Sequence, residues 1–169
     1  MKIRNVLFVC YANTCRSPAA EYLARYYANK YNLKNISFSS AGWHDAFDNA
    51  QPETINYVES KGIKMSDFQP KLLTKELLEK QDLLIGMETY HLLKIRKKFK
   101  EIEKILKDKM FTLTQFNGAD KGNYNIPDPY KTGIENYNRI LKIVEENVEK
   151  LVKKISDINS KVILNFPSR

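Results

Sequence analysis

Short apolar runs alternate along the chain with longer segments whose apolar residues recur at helical spacing, and this alternation constrains the fold more than any other feature. The runs typical of buried strands cover 3–9, 36–39, 82–87 and 111–116. The segments typical of helices cover 18–29, 53–61, 74–80, 91–99 and 134–155. Strands that alternate with helices predict an α/β fold of three layers, in which a four-stranded, mostly parallel sheet carries helices on both faces.

The last of these helices has the clearest pattern, because its apolar residues are spaced alternately three and four positions apart. They are Ile134, Tyr137, Leu141, Val144, Val148, Leu151 and Ile155. Such a stripe predicts a helix that packs one face against the core.

We expect the whole chain, 1–169, to form one domain. Within it, 117–132 is expected to be a long loop rich in Gly, Asn and Pro, and 159–169 a partly loose tail.

Charge limits the kinds of partner that the chain is expected to bind. Its 169 residues include 28 Lys and Arg against 20 Asp and Glu, a net charge of +8. The densest basic cluster, 94–100, is followed by Glu101 and Glu103 and lacks regularly spaced aromatic residues, which favours a solvated helix face over a nucleic-acid site. We therefore expect no nucleic-acid partner, although the positive charge would still attract anionic substrates.

Apolar runs and cysteine content limit the location and the cofactors. The run Val6–Cys10 closely follows Met1 and is far shorter than the roughly 18 residues that a membrane span requires, so the sequence predicts neither a membrane partner nor a secretory signal. A cytoplasmic location is expected. Two cysteines, Cys10 and Cys15, and two histidines are too few for a disulfide framework or a zinc site, so no metal or other cofactor is expected.

The segment after the first predicted strand, 10–18, reads Cys-Tyr-Ala-Asn-Thr-Cys-Arg-Ser-Pro. It lies between a strand end and a helix start, where parallel α/β sheets bind ligands. A loop in this position points backbone N–H groups toward its own centre, and the following helix adds unpaired N–H groups and the positive end of its dipole. The sequence therefore predicts a phosphate-binding cradle made of Tyr11, Ala12, Asn13, Thr14, Cys15, Arg16 and Ser17.

Three side chains of this segment indicate chemistry at the bound anion. Arg16 presents a planar, permanently charged group that can hold two oxygens of a tetrahedral anion. Ser17 can form a hydrogen bond to the Cys10 sulfur, and the positive surroundings favour the thiolate form of Cys10. A cysteine in an anion cradle is predicted to be a nucleophile toward phosphorus, in preference to a small buried residue that ends a strand.

These residues resemble the low-molecular-weight protein-tyrosine-phosphatase family, whose anion loop reads Cys-x5-Arg-Ser near the N-terminus. The resemblance continues through 40–42, 73–77, the strand before Met87 and 126–130, and covers nearly the whole chain to about Lys154. It implies the same sheet and helices as the pattern above. It also implies a metal-independent phosphatase that hydrolyses phosphotyrosine in protein substrates through a cysteinyl-phosphate, with inorganic phosphate as product and inhibitor.

The resemblance also implies a general acid. Asp128 stands between two prolines, where the family has its Asp-Pro-aromatic sequence. The chemistry requires such a group, because a phenoxide with a conjugate-acid pKa of about 10 leaves poorly unless it is protonated. Cys10, Arg16 and Asp128 are thus the expected catalytic residues.

Aromatic residues are expected to enclose the substrate side chain. Trp43 and Tyr130 resemble the two walls of the family's substrate slot, with His44 and Phe47 as alternatives. Tyr11 is bulkier than usual for the lip of the pocket and is expected to narrow its entrance.

Three positions depart from the family pattern. Ala12 replaces a glycine of the cradle, so the backbone there must tolerate a methyl group. Asp67 replaces a histidine that in the family often bonds the loop asparagine, which leaves the support of Asn13 open. Thr14 replaces a bulky aliphatic residue of the tyrosine-specific members, and the bacterial protein-arginine-phosphatase branch has Thr there. Phosphoarginine is therefore an alternative substrate to phosphotyrosine.

Two other functions fit the sequence less well than the phosphatase does. An arsenate reductase shares the cradle and the fold, but it relays a disulfide through further cysteines, and the chain has none after Cys15. A phosphoresidue-binding module without catalysis typically lacks the nucleophile or the acid, and the chain has both Cys10 and Asp128. The sequence therefore favours the phosphatase.

Overall fold

The computed structural model describes residues 2–164, with side chains up to 161, and in this part it has four strands and seven α-helices. The strands are β1 (Asn5–Val9), β2 (Ser37–Ala41), β3 (Leu83–Gly86) and β4 (Met110–Thr112). The helices are α1 (Arg16–Lys30), α2 (Pro52–Glu59), α3 (Lys75–Glu79), α4 (Thr89–Lys98), α5 (Glu103–Leu106), α6 (Leu113–Phe116) and α7 (Ile134–Leu164), and a 3-10 turn covers Lys100–Ile102.

The strands form one parallel sheet in the order β2-β1-β3-β4, which confirms the predicted α/β fold. Val9, the last residue of β1, lies opposite Ala41 of β2 and Gly86 of β3. These three strands therefore end at the same edge of the sheet. The segments that follow them, including the predicted cradle, meet at that edge, where parallel sheets bind ligands.

Helices cover both faces of the sheet, as predicted. Alternate residues of β1 point to opposite faces, so Val6 and Phe8 pack in the core that contains α1 and α7. Leu7 and Val9 pack in a second core, with apolar side chains of α4 and of the 3-10 turn. Removing apolar surface from water on both faces of the sheet holds the three layers together.

The apolar stripe of α7 is buried, except for Ile134 in its first turn, which is 60% exposed. The helix continues to Leu164, whereas the sequence predicts a partly loose tail from 159 onward. Asn159 explains the extension, because its side chain accepts the N–H of Ile3 at 2.8 Å and donates to the Ile3 carbonyl at 2.9 Å. The rest of the predicted tail, 165–169, lies outside the described residues.

The fourth strand is shorter than the predicted run 111–116, because a helix cap interrupts it. The Thr112 hydroxyl accepts a hydrogen bond from the Gln115 N–H at 3.2 Å, and the Gln115 side chain accepts one from the Thr112 N–H at 3.4 Å. This capping box ends β4 and starts α6.

The helical turns at 100–106 are also additional to the predicted elements. Across residues 2–164, no helix is long and apolar enough to cross a membrane.

Candidate active site

The loop between β1 and α1 has the backbone of an anion cradle. The N–H groups of residues 11–17 donate to no acceptor within the described residues. In this loop only Asn13 has a left-handed backbone, with φ of 56°, a conformation that asparagine adopts more readily than most residues. Ala12 therefore has an ordinary backbone conformation, which explains why this chain tolerates a methyl group where the family usually has glycine.

The buried side chain of Asn13 fixes the shape of the cradle. Its amide donates to the Ser17 hydroxyl at 3.0 Å and to the Ser40 hydroxyl at 2.8 Å, and its carbonyl accepts the Lys71 N–H at 2.8 Å. Asp67 takes no part in this support, because it accepts the Tyr22 hydroxyl at 2.7 Å. The support of Asn13 that the sequence left open thus comes from the loop itself, from β2 and from the backbone at 71.

The end of β2 presses directly against the cradle. A Cβ atom added at Gly42 would lie 2.6 Å from the Asn13 nitrogen and 2.7 Å from the Ala12 carbonyl carbon, so only glycine fits there. Beyond it, the N–H groups of Trp43 and His44 both donate to the Tyr11 carbonyl, at 2.7 and 3.2 Å. The first residues after β2 therefore hold the cradle in place.

Cys10 and Ser17 are buried together at the base of this loop. The Cys10 sulfur lies 2.9 Å from the Ser17 hydroxyl, which confirms the predicted hydrogen bond. Cys10 also lines a cavity of about 260 Å³ that opens beside the loop. The sulfur is thus within reach of a group bound in the cavity.

Arg16 is 1% exposed, and its guanidinium joins the cradle to two acidic residues. One terminal nitrogen donates to Glu88 and to the Ile126 carbonyl, and the other donates to Asp128 at 2.8 Å. Burial opposes the charge of Arg16, but Cys10, Asp128 and Glu88 outweigh it and raise its pKa. Its Nε is buried and has no partner among the described residues, so this donor remains for an oxyanion.

Glu88 is a site residue that sequence reasoning missed. It follows the end of β3 almost directly, and its position near the carboxyl edge of a parallel sheet was the available signal. Its N–H donates to Nδ1 of His91 at 3.1 Å, and burial, followed by Arg16 and Lys94, lowers the pKa of His91 to about 3. His91 is therefore neutral at physiological pH and serves as an acceptor that orients Glu88.

The cavity has aromatic walls, formed by the predicted Tyr130 and by Phe47, which the sequence offered as an alternative to Trp43. It is lined by Cys10, Tyr11, Ala12, Thr14, Cys15, Ala46, Phe47, Asp128 and Tyr130. Phe47 and Tyr130 are neighbours in this lining and contact each other edge to face, with ring centres 5.7 Å apart. Tyr130 thus lies where predicted. Trp43 does not line the cavity, because its ring packs against Phe99 beside α4, and Phe47 occupies the second wall.

Thr14 and Cys15 are buried but border the same cavity. Burial is the main cause that raises the pKa of the Cys15 thiol to about 12, and the nearby Cys10 and Asp128 raise it further. Cys15 is therefore a neutral thiol beside the candidate nucleophile. Within residues 2–164, no three His, Cys, Asp or Glu side chains are grouped so as to hold a metal ion.

The two thiols of the loop lead to a redox prediction. Mild peroxide is expected to convert the Cys10 thiol to a sulfenic acid and to release water, after which Cys15 attacks it, releases a second water and leaves a disulfide. Because only the thiolate attacks, the high pKa of Cys15 makes closure faster as the pH rises. Mass spectrometry would show the loss of two hydrogens, reversed by dithiothreitol. A Cys15→Ala control, which lacks the second thiol, is expected to give a sulfinic acid at Cys10 instead. The same sulfinic product in the native chain would refute the prediction.

Comparison with known proteins agrees with this geometry. Residues 5–161 match the family model described as Low molecular weight phosphotyrosine protein phosphatase. A protein-arginine-phosphatase of Bacillus subtilis (strain 168) is 31% identical over 152 residues, which are 89% of this chain and 96% of the relative. The low molecular weight protein-tyrosine-phosphatase Ptp of Acinetobacter johnsonii is 34% identical over 132 residues, which are 78% of this chain and 83% of the relative.

A solved structure gives the same relationship in three dimensions. It is a cysteine-to-serine mutant of the YwlE arginine phosphatase with a phosphorylated active-site serine, and it is 30% identical to this chain. The match has a TM-score of 0.80 and covers 90% of this chain and 95% of that one. Because the family model spans nearly all of the described residues and the cradle has the expected geometry, this chain belongs to the low-molecular-weight phosphotyrosine protein phosphatase family.

Proposed function

We propose that the chain is a protein phosphatase that hydrolyses phosphotyrosine in protein substrates, with Cys10 as the nucleophile. One observation carries the proposal: the Cys10 sulfur lies next to a loop whose amides at 11–17, together with the Arg16 Nε, have no acceptor within the described residues. A phosphate dianion supplies those acceptors and brings its phosphorus to the sulfur. Arg16 and the amides provide the positive charge, so the mechanism needs no metal ion.

In the first step, the Cys10 sulfur attacks phosphorus in line with the bond to the leaving oxygen. The sulfur–phosphorus bond forms as the phosphorus–oxygen bond breaks, and the protonated carboxyl of Asp128 gives its proton to the leaving oxygen. Asp128 lines the cavity and bonds Arg16 at 2.8 Å. A bound dianion competes with Asp128 for Arg16, which leaves the carboxyl free to meet the leaving oxygen.

In the second step, the carboxylate of Asp128 takes a proton from water, and the resulting nucleophile attacks the cysteinyl-phosphate. The sulfur–phosphorus bond breaks, which releases inorganic phosphate and restores the Cys10 thiolate. The Ser17 hydroxyl, 2.9 Å from the sulfur, can stabilise that thiolate as a leaving group. Arg16 and the loop amides stabilise the equatorial oxygens in both steps.

The aromatic lining of the cavity and the free cysteines support the proposed substrate, product and location. The aromatic pair Phe47 and Tyr130 borders the cavity, as suits a flat phenyl ring. Inorganic phosphate fits the same cradle and is expected to inhibit as the product. Both cysteines are free thiols, and the mechanism requires a reduced Cys10, so we place the enzyme in a reducing compartment, the cytoplasm.

Phosphoarginine is a second candidate substrate, and Thr14 is the observation that favours it. Thr14 is only 2% exposed yet lines the same cavity as Cys10, and its hydroxyl lies 3.9 Å from the Cys15 sulfur, so a polar group stands in the wall of the cavity. A hydroxyl accommodates a polar guanidino nitrogen better than a branched alkyl group does. Arginine phosphatases are also among the relatives of this chain.

Metal-free steady-state kinetics on a phosphotyrosine peptide and a phosphoarginine peptide, measured side by side, tests both substrates. We expect Thr14→Ile to lower kcat/KM for phosphoarginine by about tenfold or more, which corresponds to roughly 1.4 kcal/mol, because it removes the hydroxyl from the wall of the cavity. Phosphotyrosine turnover is expected to stay similar or to rise.

Two further variants separate the hydroxyl from the volume of the side chain. Thr14→Val has nearly the same shape without the hydroxyl and is expected to behave like Thr14→Ile, whereas Thr14→Ser is expected to keep the phosphoarginine activity. Parallel loss of both activities, or no phosphoarginine activity in the native chain, would reject the arginine branch and leave phosphotyrosine. No turnover of either peptide would reject the proposed function.

A further inference from the structure

We propose that a basic groove beside the catalytic cavity binds acidic side chains of the protein substrate, close to its phosphorylated residue. This proposal rests on the proposed function, because the groove is assigned to the same substrate. The groove has a volume of about 430 Å³ and is lined by Trp43, His44, Lys94, Lys97 and Lys98. We call it the Lys94 groove.

The three lysines share one side of α4. Lys97 and Lys98 follow Lys94 by three and four residues, the spacing at which helical side chains are neighbours. Lys97 and Lys98 are exposed, whereas Lys94 is partly buried among aromatic rings. Its ammonium lies 5.6 Å from the centre of the Tyr11 ring, 5.4 Å from Trp43 and 5.1 Å from Tyr90. Cation–π attraction thus holds one positive charge at the inner end of the groove.

The Lys94 groove and the catalytic cavity share a wall. Tyr11 lines the cavity, and its ring stacks on His44 of the groove with centres 4.4 Å apart. A substrate chain that places its phosphorylated side chain in the cavity therefore has its neighbouring residues next to the groove. Trp43, expected from the sequence to be a wall of the cavity, forms part of the groove instead.

The charges of the groove are available to a partner. Within the described residues, no carboxylate lies within 4.0 Å of the ammonium groups of Lys94, Lys97 or Lys98. Apolar aromatic surface next to the lysines strengthens their field by excluding water. Carboxylate side chains match this positive groove in charge.

The geometry favours an acidic peptide over a nucleic acid. Three lysines along one face of α4 form a short row, and the exposed Glu101 and Glu103 follow it in the chain. A nucleic acid typically requires a longer track of phosphate contacts. A protein substrate needs only a few carboxylates at this position, because the catalytic cavity already holds the phosphorylated residue.

The test compares two phosphotyrosine peptides that differ only in carrying Glu or Gln at several positions beside the phosphotyrosine. At low salt, the native enzyme is expected to have a kcat/KM about tenfold higher for the Glu peptide, mainly through KM. In the Lys97→Glu/Lys98→Glu variant, the ratio is expected to fall to about one or below. Hydrolysis of p-nitrophenyl phosphate, which does not reach the groove, is expected to stay unchanged.

A matched control changes the charge by the same amount elsewhere. Lys142 and Lys150 are exposed on α7, which packs on the opposite face of the sheet from α4. The Lys142→Glu/Lys150→Glu variant is expected to keep the native preference for the Glu peptide. Equal ratios in both variants, or no preference in the native enzyme, would overturn the proposal. Competition by a single-stranded oligonucleotide that requires Lys97 and Lys98, without any peptide preference, would assign the groove to nucleic acid.

Failure of the proposed function would be visible separately, as no hydrolysis of p-nitrophenyl phosphate or of either peptide. In that case, fluorescence polarisation measures whether the unphosphorylated Glu and Gln peptides bind to the Lys94 groove. Binding of the Glu peptide that is lost in Lys97→Glu/Lys98→Glu but kept in Lys142→Glu/Lys150→Glu supports the acidic docking site. Equal binding of both peptides by all proteins contradicts it.

Discussion

Replacement of Cys10 by serine is expected to lower kcat by about ten-thousandfold or more, because a serine hydroxyl is far less acidic than a thiol and leaves phosphorus much less readily. The cradle itself remains, since the amides at 11–17 and Arg16 do not depend on the sulfur. Binding of inorganic phosphate or sulfate is therefore expected to survive. Steady-state kinetics and calorimetric titration of the anion measure the two effects separately.

The Cys10→Ser variant is expected to unfold at nearly the native temperature, because the change exchanges one atom and keeps a partner for the Ser17 hydroxyl. A matching thermal unfolding curve shows that lost turnover is not lost structure. Substantial residual hydrolysis by the purified variant would mean that Cys10 is not the nucleophile.

The Asp128→Asn variant is expected to distinguish substrates by their leaving groups. For phenyl phosphates whose leaving phenol has a conjugate-acid pKa of about 10, kcat is expected to fall by roughly a hundredfold or more, because the leaving oxygen receives no proton. Aryl phosphates with strongly electron-withdrawing groups leave without a proton and are expected to lose far less. The slope of log kcat against leaving-group pKa, measured in the native and variant enzymes, is the test.

The slope is the decisive quantity because Asp128 has a second role. It bonds Arg16 at 2.8 Å, so its replacement also disturbs the cradle, but that disturbance affects all substrates alike. Asp120→Asn, an exposed position in the same loop, removes the same charge and is expected to leave the slope unchanged. Equal losses for good and poor leaving groups in Asp128→Asn would show that Asp128 is not the acid.

The cradle and the fold class were predictable because the information for both is local in the sequence. The segment 10–17 contains the nucleophile, the amides, Arg16 and Ser17 within one turn of chain. The apolar stripe of α7 likewise identifies a helix with one buried face, and the apolar run 3–9 identifies a buried strand. Local pattern misleads at Thr112, because a capping box turns an apolar run that looks like a strand into a helix.

The remaining site residues depend on contacts between distant parts of the chain. Glu88 is 72 residues from Arg16, and no spacing rule connects them. Trp43 and Phe47 were both available as walls, and the choice depends on Phe99, whose packing beside α4 holds the Trp43 ring away from the cavity. The spacing that marks a buried helix face has no equivalent in the irregular segment 42–51. The sequence therefore could not decide which of these two aromatic residues lines the cavity.

Rapid-quench mass spectrometry on the native enzyme tests the central claim, that Cys10 carries the phosphoryl group during turnover. The enzyme is mixed with an activated aryl phosphate, quenched within one turnover and digested. The account predicts the mass of one phosphoryl group on the peptide that contains Cys10, at a level that rises and falls with turnover. Turnover with the phosphoryl group on another residue, or with no phosphorylated enzyme at any quench time, would contradict it.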